Sequence, residues 1–521
     1  MNSQTDTHTP YTGGSNKWVV AMTVMLGTFV AVMDISVVNV ALPHMMGSFG
    51  QSQSAITWIA TSYSIAEIIM ATMAGWSSTL LGRKRLFISS FILFTIGSIL
   101  CGTATTFAHI IFFRVVQGIG GGSLIPVSQA IMREAFPDEE QGMAMAVYGM
   151  GVVLAPAIGP ILGGWLTDQY GWEWIFFVNV PIGVLGIFLV NIVVHDPPYL
   201  RRGLRRIDWA GIALLSVTLT MLQIVLERGE EKNWFESDWI VAGTVIAAIA
   251  LIALVFWELR AREPVVDVRL LRNVPLSVGS LIVIIFGIGL FGTTFLLPQF
   301  TQNLLGYTAY DSGLVLFPRA ISLFLFMPFV GWLYKRLNIR LMVAFGLATI
   351  VYSYFLLAHL SLDASFWTLT PMLLVMGIGM PFVFVTLTTV SLSTVPRSSM
   401  TEASSLYTLA RRIGGNVGYA LAASLVASRI QFHHARLAEH IAPGNPALLT
   451  LQQHIANLFV HGGSDPVTAG QQTNMLIDGL LNRQARMMAY NDTSLILGLL
   501  FLVVMPLILL IPSRKKLVRE S

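Results

Sequence analysis

Residues 111–129 read IFFRVVQGIGGGSLIPVSQ: apolar almost throughout, yet carrying Arg114, with Gln117 at i+3 and glycines at 118, 120, 121 and 122. An arginine inside a hydrocarbon-length helix is expensive; it faces a protein interior or a water-filled cavity and requires an acidic partner. The glycine run lets another backbone come close. The identity of the partner of Arg114 therefore decides how the helices are arranged.

The chain of 521 residues is 55% hydrophobic and only 11% charged, whereas a soluble domain has about 25% charged residues. It is an integral membrane protein. The net charge of +4 does not point to nucleic acid, because the basic residues sit in particular loops. A single cysteine, Cys101 in an apolar segment, excludes an intramolecular disulfide and argues against thiol or metal chemistry. Residues 1–15 are polar and lack the basic-then-apolar order of a cleavable signal, so the first span is expected to target the chain to the membrane.

Fourteen segments have the roughly 20 apolar residues needed to cross ~30 Å of hydrocarbon. They lie at 18–42, 55–75, 86–105, 108–132, 142–166, 173–194, 208–226, 239–258, 275–298, 312–334, 341–360, 366–392, 403–428 and 492–512. Of the 31 Lys and Arg, 21 fall on one face: Lys17, 83–85, Arg133, Arg201, Arg202, Arg205, Arg206, Arg260, Arg262, Arg269, Arg272, Lys335, Arg336, Arg340, Arg397, 514–516 and Arg519. The short loops opposite hold only Arg228 and Lys232, outnumbered by Glu227, Glu230, Glu231, Glu236 and Asp238. The positive-inside rule then places both termini in the cytoplasm. The loop 429–491 carries Arg429, Arg436, Arg483 and Arg486 on the outer face, but loops of that length translocate largely regardless of charge. Within it, Leu448, Leu451, Ile455 and Leu458, then Ile477, Leu480, Leu481 and Met488, keep partial helical periodicity. Two short amphipathic helices on the membrane surface are expected, with a docking site for a periplasmic partner as the sharper alternative.

The chain repeats internally. GWSSTLLGRK (75–84) after span 2 matches GWLYKRLNIR (331–340) after span 10; VQGIGGG (116–122) resembles VMGIGMP (375–381); ALP (41–43) matches LLP (296–298). The offset is eight spans each time, so spans 1–6 and 9–14 form two equivalent bundles and spans 7 and 8 an inserted hairpin. The expected division is an N-terminal segment 1–17, a first bundle 18–194, a linker with the hairpin 195–274, a second bundle 275–512 and a cytoplasmic tail 513–521. Repeated halves put a substrate site near the midplane between bundles that rock against each other.

With these motifs the chain resembles the major facilitator superfamily, and the hairpin makes it similar to its fourteen-span drug:proton antiporter branch, the EmrB/QacA type. MDISVVNVALP (33–43), GWSSTLLGRK (75–84), RVVQGIGGG (114–122), APAIGPILGG (155–164), WEWIFFVNVPIG (172–183) and ERGEEKNWF (227–235) carry the resemblance. It implies an all-α major facilitator fold and proton-driven export of drug-like amphipathic or hydrophobic compounds by alternating access, with the proton gradient as energy source and no cofactor. It also implies an inner-membrane location, antibiotic resistance, and a periplasmic adaptor and outer-membrane channel as partners. The conformational motifs fall on Gly75, Gly82, Arg83, Lys84, Gln117, Gly118, Gly159, Pro160, Gly163 and Gly164. Two positions depart from the pattern. Thr79 stands where an acid is usual, which puts the charge lock to the neighbouring bundle in question, and Ala155 replaces a glycine.

Asp34, Glu67 and Arg114 are the expected proton-coupling residues. By helix rise, Asp34 and Arg114 lie at similar depth, ~12 and ~9 Å from the outer ends of spans 1 and 4, with Glu67 nearer the midplane. A carboxylate that gains and loses a proton as bundles rock is the physical requirement of such an exporter. Against this stand a permanent Asp34–Arg114 pair that only fixes packing, and a neutral, hydrogen-bonded Glu67. The repeat maps Asp34, Glu67 and Arg114 onto Gly289, Leu323 and Leu373, so proton handling is expected in the first bundle. In the second, Arg319, Arg411, Phe291, Phe295, Met376 and Met380 are candidates for the substrate cavity; a cavity-facing arginine there favours anionic or weakly acidic substrates. The alternatives are core or lipid-facing roles for the aromatic and methionine side chains, and lipid phosphate or helix-end carbonyls for Arg411 and Arg412. A dedicated exporter of one metabolite, siderophore or fatty acid, and a non-transporting sensor or scaffold, are the other readings. No HExxH, phosphate-cradling loop or nucleophile motif points to an enzyme.

Overall fold

A computed structural model describes residues 12–197, 207–439, 441 and 446–511. The basic run Arg201, Arg202, Arg205 and Arg206, and the expected tail 513–521, lie outside the described residues. Among the described residues, 13 helices are long and apolar enough to cross a membrane. Met400–Glu439, with 40 residues, lies outside that set but packs against Val274–Asn303 and Pro466–Val504 and is numbered with the spans. In chain order the spans are Lys17–Phe49, Trp58–Leu81, Arg83–Gly102, Phe107–Ala135, Gln141–Tyr170, Asn179–Val193, Trp209–Arg228, Asp238–Arg260, Val274–Asn303, Ala309–Leu333, Ile339–Leu357, Phe366–Ser391, Met400–Glu439 and Pro466–Val504.

The helices pack as two groups of six and a hairpin. Span 1 lies on spans 5 and 6, and span 4 on spans 2 and 3; span 9 lies on spans 13 and 14, and span 12 on spans 10 and 11. The hairpin of spans 7 and 8 rests through span 7 on span 2 of the first group and span 13 of the second, so it lies along the seam between them.

The glycines of the opening segment act through contact. A Cβ on Gly118 would stand 2.6 Å from the Tyr63 carbonyl oxygen, and one on Gly122 would run into the Glu67 carbonyl. Span 4 therefore sits directly on the backbone of span 2. It is interrupted at Ser123, between Phe107–Gly122 and Leu124–Ala135. Gly82, at φ 86°, turns the chain from span 2 to span 3 in one residue, a conformation that favours glycine.

The two Gly-Trp motifs do the same job in each half. Gly75 of span 2 meets the Glu402 backbone of span 13, while Gly331 of span 10 meets Gly142 of span 5, each Cβ position 2.9 Å from the other's carbonyl oxygen. Both contacts bring the groups together at their basic ends. There Arg83 donates from Nε to Thr401 Oγ1 at 2.8 Å and from Nη2 to the Arg397 carbonyl at 2.9 Å, and it pairs with Glu134. The Gly75 N–H donates to Ser405 Oγ at 3.2 Å. Thr79 folds back on the Trp76 carbonyl at 2.7 Å, so Arg83 and Gly75 hold this junction without an acid at position 79.

In the outer loop the first expected helix is present as Pro446–His461, while the rest departs from expectation: span 13 continues to Glu439, and the second periodic stretch is part of the 39-residue helix Pro466–Val504. The polar composition marks helices leaving the hydrocarbon, where polar side chains are no longer disfavoured.

Overpacking in a tight helix contact destabilises by roughly 1–3 kcal/mol. Gly122→Val should lower the melting midpoint of the detergent-solubilised protein. Gly164→Ala, where the nearest atom is Val40 Cγ1 at 4.0 Å, should melt like the wild type. Equal melting of both variants would contradict the contact.

Candidate functional site

Two buried ion pairs lie at membrane depth. In the first, Arg114 Nη1 donates to Asp34 Oδ2 at 2.5 Å. Asp34 Oδ1 also accepts from Gln117 Nε2 at 2.7 Å and Asn179 Nδ2 at 2.8 Å. Gln117 Nε2 reaches Ser98 Oγ at 2.8 Å, and Gln117 Oε1 accepts from Arg114 Nη1 at 2.7 Å. Arg114 Nε donates to the Ile59 carbonyl at 3.1 Å, and its guanidinium lies 4.1 Å from the Tyr63 ring centroid. Spans 1, 2, 3, 4 and 6 thus meet in one buried network. Asp34 and Arg114 are each 1% exposed.

The second pair crosses the seam. Arg412 of span 13 donates through Nη2 to Glu67 Oε1 of span 2. Glu67 is 2% exposed, whereas the Arg412 side chain keeps 19% of its surface. The counter-ion of Glu67 therefore comes from the second bundle, although the repeat mapping placed proton handling in the first. Arg411 is buried, with its guanidinium 5.7 Å from the Phe384 ring centroid. Neither arginine sits at the basic surface: the helix begins at Met400, so they lie ~17 Å along it.

Arg319 of span 10 donates through Nη2 to Thr294 Oγ1 at 3.1 Å. Its Nη1 is buried without a hydrogen-bond partner, and among the described residues it has no acidic partner. Tyr419 is near it and packs tilted against Phe291 and edge-on against Phe295, at centroid distances of 5.6 and 6.3 Å. These side chains share one face of the second bundle. Met376 and Met380 do not join them; both are buried in the core, because Gly377 and Gly379 let span 12 press onto spans 10 and 11.

Of the motif residues, Lys84 donates from its backbone N–H to Asp196 Oδ1 at 2.8 Å and from Nζ to the Asn191 carbonyl at 2.5 Å. Gly159 and Gly163 of span 5 press onto Ser36 and Val37 of span 1, with Pro160 between them. Sequence reasoning missed Asn179, Ser98 and Glu134. Asn179 did leave a signal, as an asparagine in the otherwise apolar WEWIFFVNVPIG.

Two repeated helical bundles with paired charges at membrane depth and glycine-mediated contacts across a seam define a multi-pass membrane transporter. A sequence model of the Major Facilitator Superfamily matches residues 24–419, and the chain belongs to that family. It is 35% identical over 450 residues to the multidrug export protein EmrB of Escherichia coli (strain K12), covering 85% of this chain and 87% of that protein. It is 31% identical over 501 residues to the fatty acid resistance protein FarB of Neisseria gonorrhoeae, covering 96% of each. Among solved structures, the human organic anion transporter MFSD10 (TETRAN) superposes with a TM-score of 0.61 at 14% identity, covering 94% of this chain and 99% of that one. The proton:xylose symporter XylE gives 0.56 at 13% identity, covering 94% and 95%. These two show the shared fold.

Leaving a buried charge without its counter-ion destabilises by about 3–5 kcal/mol. Asp34→Ala should therefore lower the melting midpoint sharply, and Asp34→Leu combined with Arg114→Leu should recover part of the loss. A single variant melting with the wild type would show that the pair does not hold the bundle together.

Proposed function

We propose that the protein is a proton-driven exporter of amphipathic or hydrophobic compounds, working by alternating access in the inner membrane with both termini cytoplasmic. The observation that carries this reading is the Glu67–Arg412 pair, which joins the bundles at membrane depth. The export function named for the EmrB relatives supports it.

In this arrangement the cytoplasmic ends are in contact through Gly75 with Glu402 and Gly331 with Gly142. An ionised Glu67 holds Arg412 and so holds the ends closed. A proton arriving from outside neutralises the carboxylate and removes the attraction, and the cytoplasmic side opens. Release of that proton inward and loading of substrate reverse the cycle. Each proton moving down ~100 mV supplies about 2.3 kcal/mol. Asp34 and Arg114, closed in by their neighbours, position span 2 through Ile59 and Tyr63 so that Glu67 faces Arg412.

The proton gradient is the energy source, and no cofactor enters the cycle. The extensions of spans 13 and 14 with helix Pro446–His461 form the outer surface that would meet a periplasmic adaptor and, through it, an outer-membrane channel. A dedicated exporter of a fatty acid is the second reading. It is favoured by Arg319, without an acidic partner beside Phe291, Phe295 and Tyr419, and by the name of the Neisseria relative.

Substrate accumulation in inverted vesicles with an imposed pH gradient tests the coupling. Removing one coupled proton at ~100 mV should lower the accumulation ratio roughly fifty-fold. Glu67→Gln is expected to show that loss while still binding substrate. Gradient-driven accumulation unchanged in Glu67→Gln would sink the assignment. Transport of many unrelated compounds, against one fatty acid alone, separates the two readings of substrate.

A further inference from the structure

The inserted hairpin brings a carboxylate of its own to the seam. Glu227 is the penultimate residue of span 7, at the outer end in the proposed orientation. It is exposed, and it lines a cavity of about 580 Å³ together with Asn39, Leu42, Thr57, Thr61 and Glu231. Its carboxylate accepts from Thr61 Oγ1 of span 2 and from Gln223 Nε2, one turn below it, at 2.5 Å. Gln223 is buried, and its Oε1 accepts from Asn416 Nδ2 of span 13. Asn416 stands four residues from Arg412, on the same face of that helix. A continuous polar line thus runs from the cavity through the hairpin to the helix that holds Glu67.

The neighbouring charges are already matched. Arg228 Nη1 donates to Ser54 Oγ at 2.9 Å and Glu231 Oε2 at 2.8 Å, and Nη2 to Thr57 Oγ1 at 2.9 Å. Hydrogen bonds from Ser54 and from the Arg228 guanidinium hold the Glu231 carboxyl below the usual carboxylate range, so Glu231 stays ionised at the mouth. Glu230 accepts from Trp234 Nε1 at 2.9 Å, and Lys232 pairs with Glu231. Other titratable or charged groups on the surrounding elements include Asp34 and His44 on span 1, Tyr63 and Glu67 on span 2, Glu402, Tyr407, Arg411, Arg412 and Tyr419 on span 13, Asp238, Glu258 and Arg260 on span 8, and Glu236 in the connecting segment. Glu227 has no ion-pair partner among the described residues.

We propose that Glu227 is a second protonation site of the transport cycle: it takes protons from the outer cavity, and its charge state sets the grip of span 7 on span 13. Ionised, it is an acceptor only and holds both Thr61 and Gln223. A proton from cavity water added to Oε1 turns that oxygen into a donor facing the Gln223 amide and weakens its bond from Gln223 Nε2, while Oε2 keeps Thr61. Gln223 is then free to turn away from Asn416, and the hairpin loosens its hold on the second bundle. The inserted hairpin thereby acts as a part of the coupling machinery. This rests on the proton-driven reading above.

The test uses inverted vesicles, whose lumen faces the cavity, with ethidium as probe. Uptake driven by an acidic lumen and gradient-free exchange are both followed as lumenal pH is varied, for wild type, Glu227→Gln, Glu227→Asp and Gln223→Leu. Driven uptake in Glu227→Gln and Gln223→Leu should fall to the gradient-free level while exchange persists. The pH dependence should flatten in Glu227→Gln, and Glu227→Asp should restore driven uptake with a displaced pH profile. Glu227→Gln matching the wild type in uptake and pH profile overturns the proposal and leaves the proton-driven reading intact. Parallel loss of uptake and exchange with an unmoved pH profile in the variants also overturns it, as a merely structural effect. A wild type that exchanges ethidium yet is indifferent to the gradient removes the proton-driven reading and this proposal with it.

Discussion

A guanidinium placed at membrane depth has no water to fall back on, and every donor it carries must be met from within the protein. Arg114 imposes that demand on the first bundle. Asp34 from span 1 and Gln117 from its own helix meet its Nη1, the Ile59 carbonyl from span 2 meets its Nε, and the Tyr63 ring covers the charge. Asn179 and Ser98 then satisfy what Asp34 and Gln117 have left over. The glycines that follow Arg114 are the steric side of the same constraint. With side chains at 118 and 122, span 4 would stand off from span 2, and the arginine would no longer reach Ile59.

The second ion pair differs in kind. Asp34 and Arg114 belong to one bundle and are enclosed; Glu67 and Arg412 belong to two, and Arg412 keeps part of its surface open. A pair within a rigid body contributes to that body's shape. A pair between bodies contributes to the balance between their arrangements, and a proton that removes it shifts that balance by the difference it makes. The same chemistry, a carboxylate with an arginine, therefore serves as a fixed joint in one place and as a clasp in the other. The repeat supports the distinction. The Gly-Trp motifs recur in both halves because both halves need a close crossing, whereas the charges do not recur because only one clasp is required.

How much was legible in the sequence follows from how local each signal was. Apolar runs and loop charges marked the spans, and span direction put Asp34 level with Arg114. The partner of Glu67 was not readable: Arg411 and Arg412 are adjacent, so the sequence alone gave no face to either, and the docking of span 13 on span 2 is a tertiary event. Met376 and Met380 looked suited to a drug surface, but the neighbouring glycines draw them into the core. The helical continuity of 466–504 is not legible as an apolar run, because the apolar run stops where polar residues begin, although the helix does not. Asn179 stands out as a polar residue in an apolar motif, but only the fold brings it to Asp34.

The central claim is that Glu67 and Arg412 clasp the bundles and that a proton opens the clasp. Spin labels at Leu81→Cys and Leu337→Cys, both exposed positions near the basic ends of different bundles, in a Cys101→Ser background, report that opening as a distance. The account predicts that the distance lengthens from alkaline to acidic pH in the otherwise native protein. With Glu67→Gln it should be long at both. A distance indifferent to pH and to Glu67→Gln would contradict the account.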